Sequence, residues 1–292
     1  MSRDARGVVA GDGVARGSLR YGDLSIVGCS RAGEETWFRV RPPGLALDVG
    51  RGPLALTGVS DVFLSHGHLD HTNGLPFLLS QRTFQGLGPC RILCPTAIAQ
   101  PLAALLAAAE ALEGATFEYR IVGLSPGDRV QLDKDFVLEA FATDHVVPSL
   151  GCHLFQQRRR LAAALRGASE EEVAALRRQG HEVSETMEEL SVTYCGDSGR
   201  GVLTTEPRLF GARILLLECT FLGAETRGRG ERYGHIHVED LVEVEARFRN
   251  EVVILHHLSA RHRPEELRGE LERRAPQLAA KLVQLEETPW SA

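Results

Sequence analysis

The sequence predicts a mixed fold of the α/β or α+β class, built as a single domain over residues 1–292. Short apolar runs of strand length alternate with segments of helical periodicity along the chain. No tandem repeat, low-complexity tail or clear linker divides it. With 43% hydrophobic and 25% charged residues, the chain has the composition of an ordinary globular protein and is long enough to bury a substantial core.

The predicted elements follow from the spacing of apolar residues. Acidic Glu239 and Asp240 stand in the first turn of one predicted helix, and Pro264 begins another, as helix starts prefer. The charged segment near 154–190 predicts a short helical insertion. The predicted helices are 72–85, 96–112, 238–249 and 264–274. The predicted strands are 24–27, 37–40, 45–49, 62–64, 91–94, 117–122, 129–132, 136–143, 190–194, 214–217 and 252–255.

Composition limits the classes of function. The net charge is −6, which is not the balance of a strongly basic nucleic-acid-binding protein, although bound divalent metals would add positive charge. No stretch approaches the ~20 apolar residues of a membrane span, and residues 1–13 show no signal peptide. The six cysteines form no CxxC pair, which predicts reduced thiols in a cytoplasmic protein. They are Cys29, Cys90, Cys94, Cys152, Cys195 and Cys219.

The strongest local signal is the segment His66-Gly67-His68-Leu69-Asp70-His71, which follows a predicted buried strand. Residues two apart in an extended loop point the same way, so His66 and His68 are predicted to bind one metal together. Asp70 and His71 follow where the chain turns into a helix and can reach a second metal. Imidazole and carboxylate ligands suit zinc, while manganese and iron would also fit.

This His-x-His-x-Asp-His pattern resembles the signature of the metallo-β-lactamase superfamily. The resemblance implies an αβ/βα four-layer sandwich with two metals at the edges of its sheets. It also implies three further ligands, for which His145, Asp197 and His257 stand after predicted strands. By resemblance, the first metal is held by His66, His68 and His145, the second by Asp70, His71 and His257, and Asp197 bridges them. His256 competes with His257 for the last position.

Other segments resemble the RNase Z family, the tRNA 3′-end endonucleases. Glu218-Cys219-Thr220-Phe221 is similar to the family's His-Glu-Ala-Thr-Phe, with Leu217 in place of its leading histidine. Gly234-His235-Ile236-His237 is similar to Gly-His-Ser/Thr. The segment from His257 to His262 is similar to His-Phe-Ser-x-Arg-Tyr, with His262 in place of the tyrosine. The likeness is to the short plant-type form, which lacks a long tRNA-gripping arm.

The family resemblance implies a binuclear, metal-dependent phosphodiesterase that removes the 3′ trailer of precursor tRNA. It further implies two divalent metal ions, of which zinc is the first expectation, an RNA partner and a homodimer. Asp70 would orient the attacking water or accept its proton. His235, held by Glu218, would protonate the leaving 3′ oxygen. Ser259 and Arg261 are candidate phosphate contacts, because arginine matches phosphate geometry with paired donors.

Two other enzymatic activities remain open, and so does a role without catalysis. The same metals would serve a general phosphodiesterase acting on small or cyclic nucleotides. A thioesterase or lactonase would use the fold but would not need His235 and Glu218, and a scaffold would not need the metal ligands. Without the resemblance, Glu218 is a structural carboxylate at a strand end, and His237 competes with His235.

A basic stretch in the charged segment allows two interpretations. Its arginines could follow an RNA backbone, where each neutralised phosphate adds salt-dependent affinity. They could equally belong to a solvated surface and pair with Glu170, Glu171 and Glu172, and this second interpretation is slightly preferred. The arginines are Arg158, Arg159, Arg160, Arg166, Arg177 and Arg178.

Overall fold

The computed structural model describes residues 17–283, so the prediction made for residues 1–13 lies outside the described part. Two β-sheets face each other across a shared core, and helices cover their outer faces. The predicted four-layer αβ/βα sandwich is confirmed. The assignment of all 292 residues to one domain stays a prediction.

The first sheet contains seven strands in chain order. The first to fourth strands pair antiparallel with their neighbours. The fourth to seventh strands pair parallel. The strands are β1 (Gly17–Tyr21), β2 (Leu24–Arg31), β3 (Glu35–Arg41), β4 (Leu45–Leu47), β5 (Asp61–Phe63), β6 (Cys90–Pro95) and β7 (Tyr119–Leu124).

The second sheet contains six strands in the order β13-β12-β11-β10-β9-β8. Neighbours from β8 to β11 pair antiparallel, whereas β11, β12 and β13 pair parallel. The strands are β8 (Arg129–Gln131), β9 (Phe136–Ala142), β10 (Leu150–Leu161), β11 (Ser184–Tyr194), β12 (Ile214–Glu218) and β13 (Val252–His256).

Helices form the outer layers by packing apolar faces against each sheet. Leu75, Leu79 and Leu106 lie against the first sheet, while Leu241 and Leu271 lie against the second. The helices are α1 (Leu69–Thr72), α2 (Leu75–Phe84), α3 (Thr96–Glu113), α4 (Glu170–Arg178), α5 (Val202–Thr205), α6 (Arg227–Tyr233), α7 (Val238–Glu243), α8 (Pro264–Arg274) and α9 (Pro276–Ala279). Among residues 17–283, no helix combines the length and apolar character that a membrane span requires.

Strand direction brings the predicted site residues to one edge of the sandwich. Strand β9 runs antiparallel to β10, and β10 antiparallel to β11, so β9 has the same direction as β11, β12 and β13. The carboxyl ends of all four therefore meet at one edge of the second sheet. The parallel strands β4 and β5 likewise end together in the first sheet, and ligand sites favour this edge of parallel sheets.

The charged segment near 154–190 differs most from its prediction as a helical insertion. Strands β10 and β11 form a long hairpin across most of it, pairing from Phe155 with Leu190 to Leu161 with Ser184, and only α4 at its tip is an α-helix. Pairing between distant residues overrides the local helical preference. We call Leu150–Tyr194 the β10–β11 hairpin.

Two predicted helices are shorter or divided. The predicted helix 72–85 begins only at Leu75, as α2, and α1 ends at Thr72, because Pro76 lies at the start of α2 and Gly74 packs its backbone directly against Gly52. The predicted helix 238–249 ends at Glu243 and continues as a short 3₁₀ turn. Strand β1 and helices α5, α6 and α9 are additional to the prediction.

Candidate metal centre

The predicted metal ligands lie together in two adjoining groups. The ligating atoms of His66, His68, His145 and Asp197 are all within 4.8 Å of one another. A second group with the same spacing contains Asp70, His71 and His257. These are the two sets that the sequence predicts, and the role of each residue as a ligand stays a prediction.

Asp197 lies between the two groups. Its Oδ2 atom is 3.7 Å from His66 Nε2 and 3.2 Å from His257 Nε2. Its Oδ1 atom is 3.4 Å from His71 Nε2. One carboxylate therefore faces a histidine of the first group and two of the second, which is the arrangement expected of a bridging ligand.

Several buried atoms of this cluster have no hydrogen-bond partner within residues 17–283. The atoms without a partner include His66 Nε2, His71 Nε2 and Asp197 Oδ1. Leaving such atoms buried and unpaired costs free energy, so a group of them facing one another is explained by a bound cation. The nitrogen and carboxylate donors fit zinc and similar divalent ions.

The other ring nitrogens are held by neighbours, which orients the imidazoles. His66 Nδ1 donates to Ser65 Oγ at 3.0 Å, and His145 Nδ1 donates to the Gly234 carbonyl at 2.9 Å. Because these hydrogens occupy Nδ1, each Nε2 is left with a lone pair directed into the cluster. Outer contacts of this kind fix the tautomer of a metal-binding histidine.

His257 is held in an unusual backbone conformation. Its φ angle is +60°, a region that non-glycine residues seldom adopt. Its backbone N–H donates to Ser30 Oγ, and its ring Nδ1 donates to Thr220 Oγ1 at 3.0 Å. These contacts hold the strained residue with Nε2 facing Asp70 and Asp197.

Asp48 is a residue of the site that was not predicted from the sequence. Its fully buried carboxylate accepts hydrogen bonds from the Ser65 backbone N–H, Ser65 Oγ, His71 Nδ1 and Tyr194 Oη, at 2.6–2.7 Å. The carboxylate thereby orients both the start of the histidine motif and the His71 ring. A signal was present, since Asp48 directly follows an apolar strand, but no spacing rule connects it with His71.

The charge balance of the cluster favours cation binding. Burial lowers the pKa of His66, His68 and His145, which leaves the neutral imidazoles that bind metals. Burial also lowers the pKa of His71, but Asp197 and Asp48 outweigh it and hold that pKa well above its ordinary value. A metal at this position must therefore displace a proton from His71.

A second buried carboxylate supports His235 beside the two groups. Glu218 Oε1 accepts a hydrogen bond from His235 Nδ1 at 2.7 Å, while Oε2 accepts one from Thr220 Oγ1 at 2.6 Å. The Glu218 side chain is completely buried and the His235 side chain is 13% exposed. Donor atoms of this pair lie within 4.8 Å of Asp197 and His257, so an acid–base pair adjoins the metal groups.

The structure distinguishes the competing histidines. His237 Nδ1 accepts a hydrogen bond from the Glu239 N–H and so caps α7, while its Nε2 donates to the Gly223 carbonyl, so both nitrogens are engaged. His256 is buried in the core, with its ring centroid 5.3 Å from that of Phe38. Neither replaces His235 or His257.

The two predicted phosphate contacts have different surroundings. The Ser259 backbone N–H donates to the Thr220 carbonyl, and this bond places Ser259 beside the residue whose hydroxyl contacts His257. Arg261 is exposed, and its guanidinium contacts no acidic side chain in the described part of the chain. Both therefore remain candidates for substrate contact.

A sandwich with a histidine-rich centre at the edge of its sheets defines a protein of the metallo-β-lactamase fold. The beta-lactamase superfamily domain matches residues 46–258, and the chain belongs to this superfamily. It is 28% identical over 263 residues to tRNase Z TRZ1 of Arabidopsis thaliana, which covers 89% of this chain and 94% of that protein.

Two solved structures share the fold. The metallo-beta-lactamase fold protein YhfI from Bacillus subtilis has a TM-score of 0.64 and 15% identity, covering 91% of this chain and 98% of that one. Human tRNase Z, short form, has a TM-score of 0.55 and 18% identity, covering 94% and 96%. At these identities the comparison supports the architecture.

Asp48→Asn is expected to weaken metal binding by about 10–100-fold. The asparagine NH₂ group would face hydrogen-bond donors that now bind the Asp48 carboxylate. Asparagine tolerates the φ of +53° at this position, so the backbone is retained. Tyr194→Phe is the matched control, since it removes one donor and keeps the bond to His71. Competition with a chromogenic chelator measures both affinities, and wild-type affinity in Asp48→Asn would show that the carboxylate does not tune the centre.

His66→Ala and Asp197→Ala are expected to reduce bound metal and activity together, because each removes a donor from a buried group. Metal content per chain, measured by elemental mass spectrometry after gel filtration, tests this. His181→Ala, an exposed histidine in the hairpin, is the control and should retain the wild-type metal content. Full metal content in Asp197→Ala would argue against a bridging role.

Proposed function

We propose that this protein is a metal-dependent endoribonuclease that removes the 3′ trailer of precursor tRNA. The observation that carries the proposal is the His235–Glu218 pair next to the two ligand groups, because phosphodiester cleavage needs a proton donor for the leaving oxygen. The similarity to a plant tRNase Z over most of both chains supports the same substrate.

The cofactor that we propose is a pair of zinc ions. The first would be held by His66, His68 and His145, the second by Asp70, His71 and His257, with Asp197 shared. When bound, such a pair neutralises phosphate charge and lowers the pKa of a water molecule.

The protein's own residues then orient the reactants and move two protons. A water oxygen attacks phosphorus, and the bond from phosphorus to the 3′ oxygen breaks. Asp70, positioned by the Gly33 N–H at 2.9 Å, orients the water and accepts its proton. His235 gives a proton to the 3′ oxygen, leaving a 3′ hydroxyl on the tRNA and a 5′ phosphate on the trailer.

The surroundings of His235 keep it protonated. Burial lowers the pKa of His235, but the charge of Glu218 and its hydrogen bond outweigh this effect and raise the pKa to about 9. Because the folded value lies above the ordinary one, the imidazolium persists through neutral pH and is lost as the pH rises through the raised value. Glu218 therefore favours the protonated form of His235, which is the form that a general acid needs.

Cleavage of a labelled precursor tRNA with a 3′ trailer, beside bis(4-nitrophenyl) phosphate, tests the function. A single cut at the end of the acceptor stem is the expected result. Turnover of the small diester alone would favour the alternative of a phosphodiesterase for small or cyclic nucleotides. Hydrolysis of a thioester or lactone in place of either would favour the third class of enzyme.

His235→Ala is expected to keep its metal and to lose about 10²–10⁴-fold in the rate of tRNA cleavage, because the leaving oxygen has no proton donor. Single-turnover kinetics with a metal determination on the same sample measure both quantities. His181→Ala serves as the control and should cleave at the wild-type rate. Normal turnover by the His235→Ala variant would eliminate this residue as the acid.

Glu218→Gln is expected to move the alkaline limb of the pH–rate profile to lower pH, because the charge that raises the pKa of His235 is removed. The variant is compared with wild type because bound cations lower the pKa of His235 in both proteins. A reduced rate with an unshifted limb would mean that Glu218 only positions the ring.

The assembly and the location of the protein are further proposals. A homodimer follows from the family resemblance, and sedimentation equilibrium of the metal-loaded protein tests it. A cytoplasmic location is consistent with the six cysteines, all of which are free thiols.

A further inference from the structure

Three of the six arginines of the β10–β11 hairpin are paired with acidic side chains of the described residues. Arg159 pairs with Glu182, and Arg166 pairs with Glu185 at 3.3 Å. Arg158 lies 3.6 Å from an aspartate outside the hairpin. None of these acidic partners is Glu170, Glu171 or Glu172, which the sequence suggested. For the three paired arginines, the interpretation as a solvated surface of ion pairs is supported. Pairing thus reduces the positive charge that this stretch presents to RNA, while Arg160, Arg177 and Arg178 are exposed and contact no carboxylate within the described residues.

Helix α6 presents its arginines differently. Arg229 and Arg232 are exposed and contact no carboxylate within residues 17–283. The Arg229 guanidinium instead lies 5.8 Å from the ring centroid of Tyr233 and 6.0 Å from that of Phe221, and the Arg232 guanidinium lies 5.5 Å from Tyr233. Free cations beside an exposed aromatic ring are the combination that binds single-stranded nucleic acid.

The exposed face of α6 is joined to the proposed acid. Gly234 ends the helix at a φ of +68°, and the His235 N–H donates to the Gly230 carbonyl at 2.9 Å. The Phe221 ring, which lies under Arg229, is 6.1 Å from the His235 ring in an edge-on arrangement. The exposed face of α6 therefore lies next to His235.

A cavity of about 280 Å³ lies between α6 and the metal centre. His145 and His235 form one side, and Arg200 and Arg227, both held by Asp240, contribute to the remainder. Its volume lies near the lower end of the range of about 300–1,000 Å³ for small-molecule sites, which suits one nucleotide.

We propose that this cavity and the face formed by Arg229, Arg232 and Tyr233 bind the RNA strand on the 5′ side of the cut. The inference rests on the proposed function. Cleavage releases the 3′ oxygen of the upstream nucleotide, and His235, which protonates that oxygen, lines the cavity. The upstream nucleotide therefore occupies the cavity, its preceding phosphates contact Arg229 and Arg232, and Tyr233 stacks on a base.

The double variant Arg229→Ala/Arg232→Ala tests the surface, with Arg159→Ala/Arg166→Ala, two paired arginines of the hairpin, as a control of equal charge change. We expect the α6 variant to raise KM for precursor tRNA about tenfold and to reduce the slope of log KM against log salt by roughly 1.5. The selectivity for precursor tRNA over bis(4-nitrophenyl) phosphate should fall accordingly. The hairpin variant should match wild type, and equal losses in both variants would overturn the assignment.

Tyr233 gives a second test that does not depend on charge. Tyr233→Ala should raise KM for precursor tRNA, and Tyr233→Phe should restore it, because phenylalanine keeps the stacking face. An unchanged KM in Tyr233→Ala would remove stacking from the proposal.

Binding measured without cleavage separates this inference from the proposed function. Fluorescence anisotropy of labelled precursor tRNA in a His235→Ala background, with and without the α6 double substitution, gives the affinities. If wild type cuts tRNA and the affinities are equal, the function stands and the surface is wrong. If no tRNA is cut but the α6 substitution weakens binding, the surface stands and the function is wrong.

Discussion

The buried carboxylate of Asp48 is the interaction on which the centre depends. It follows β4 in the first sheet, and its hydrogen bond from Tyr194 at the end of β11 connects it to the second. The same carboxylate holds His71 and Ser65. Burial and the charge of Asp48 raise the pKa of Tyr194 well above its ordinary value, so the phenol remains a donor. A single acceptor thus fixes how the two sheets present their ligands to each other.

Around this contact, the protein gathers donor atoms that need a cation. Burial would raise the pKa of Asp197, but the neighbouring imidazoles of His257 and His71 hold it well below its ordinary value. The carboxylate is therefore ionised within a buried shell of histidines. A buried carboxylate among histidines costs free energy without a bound cation and is held rigidly when a cation binds. That rigidity is the property that a preorganised catalytic centre requires.

Charge is distributed unevenly outside the centre. The net charge of −6 conceals a short helix that presents Arg229 and Arg232, neither of which contacts a carboxylate within residues 17–283, beside the exposed ring of Tyr233. Recognition of an anionic strand depends on free cations near the reacting phosphate rather than on the total charge. The position of α6, directly before His235, makes a local basic surface compatible with an acidic protein.

The sequence by itself determined the superfamily, the sandwich and the seven candidate ligands, because His66 to His71 are adjacent in the chain and the other ligands follow recognisable strands. The tertiary structure settled the competition between His256 and His257. His256 points into the core and His257 towards Asp197, since adjacent side chains leave a strand end in opposite directions and one turns at a positive φ. The partnership of Asp48 with His71 and the hairpin at 154–190 were also hidden, because both depend on pairing between residues distant in sequence.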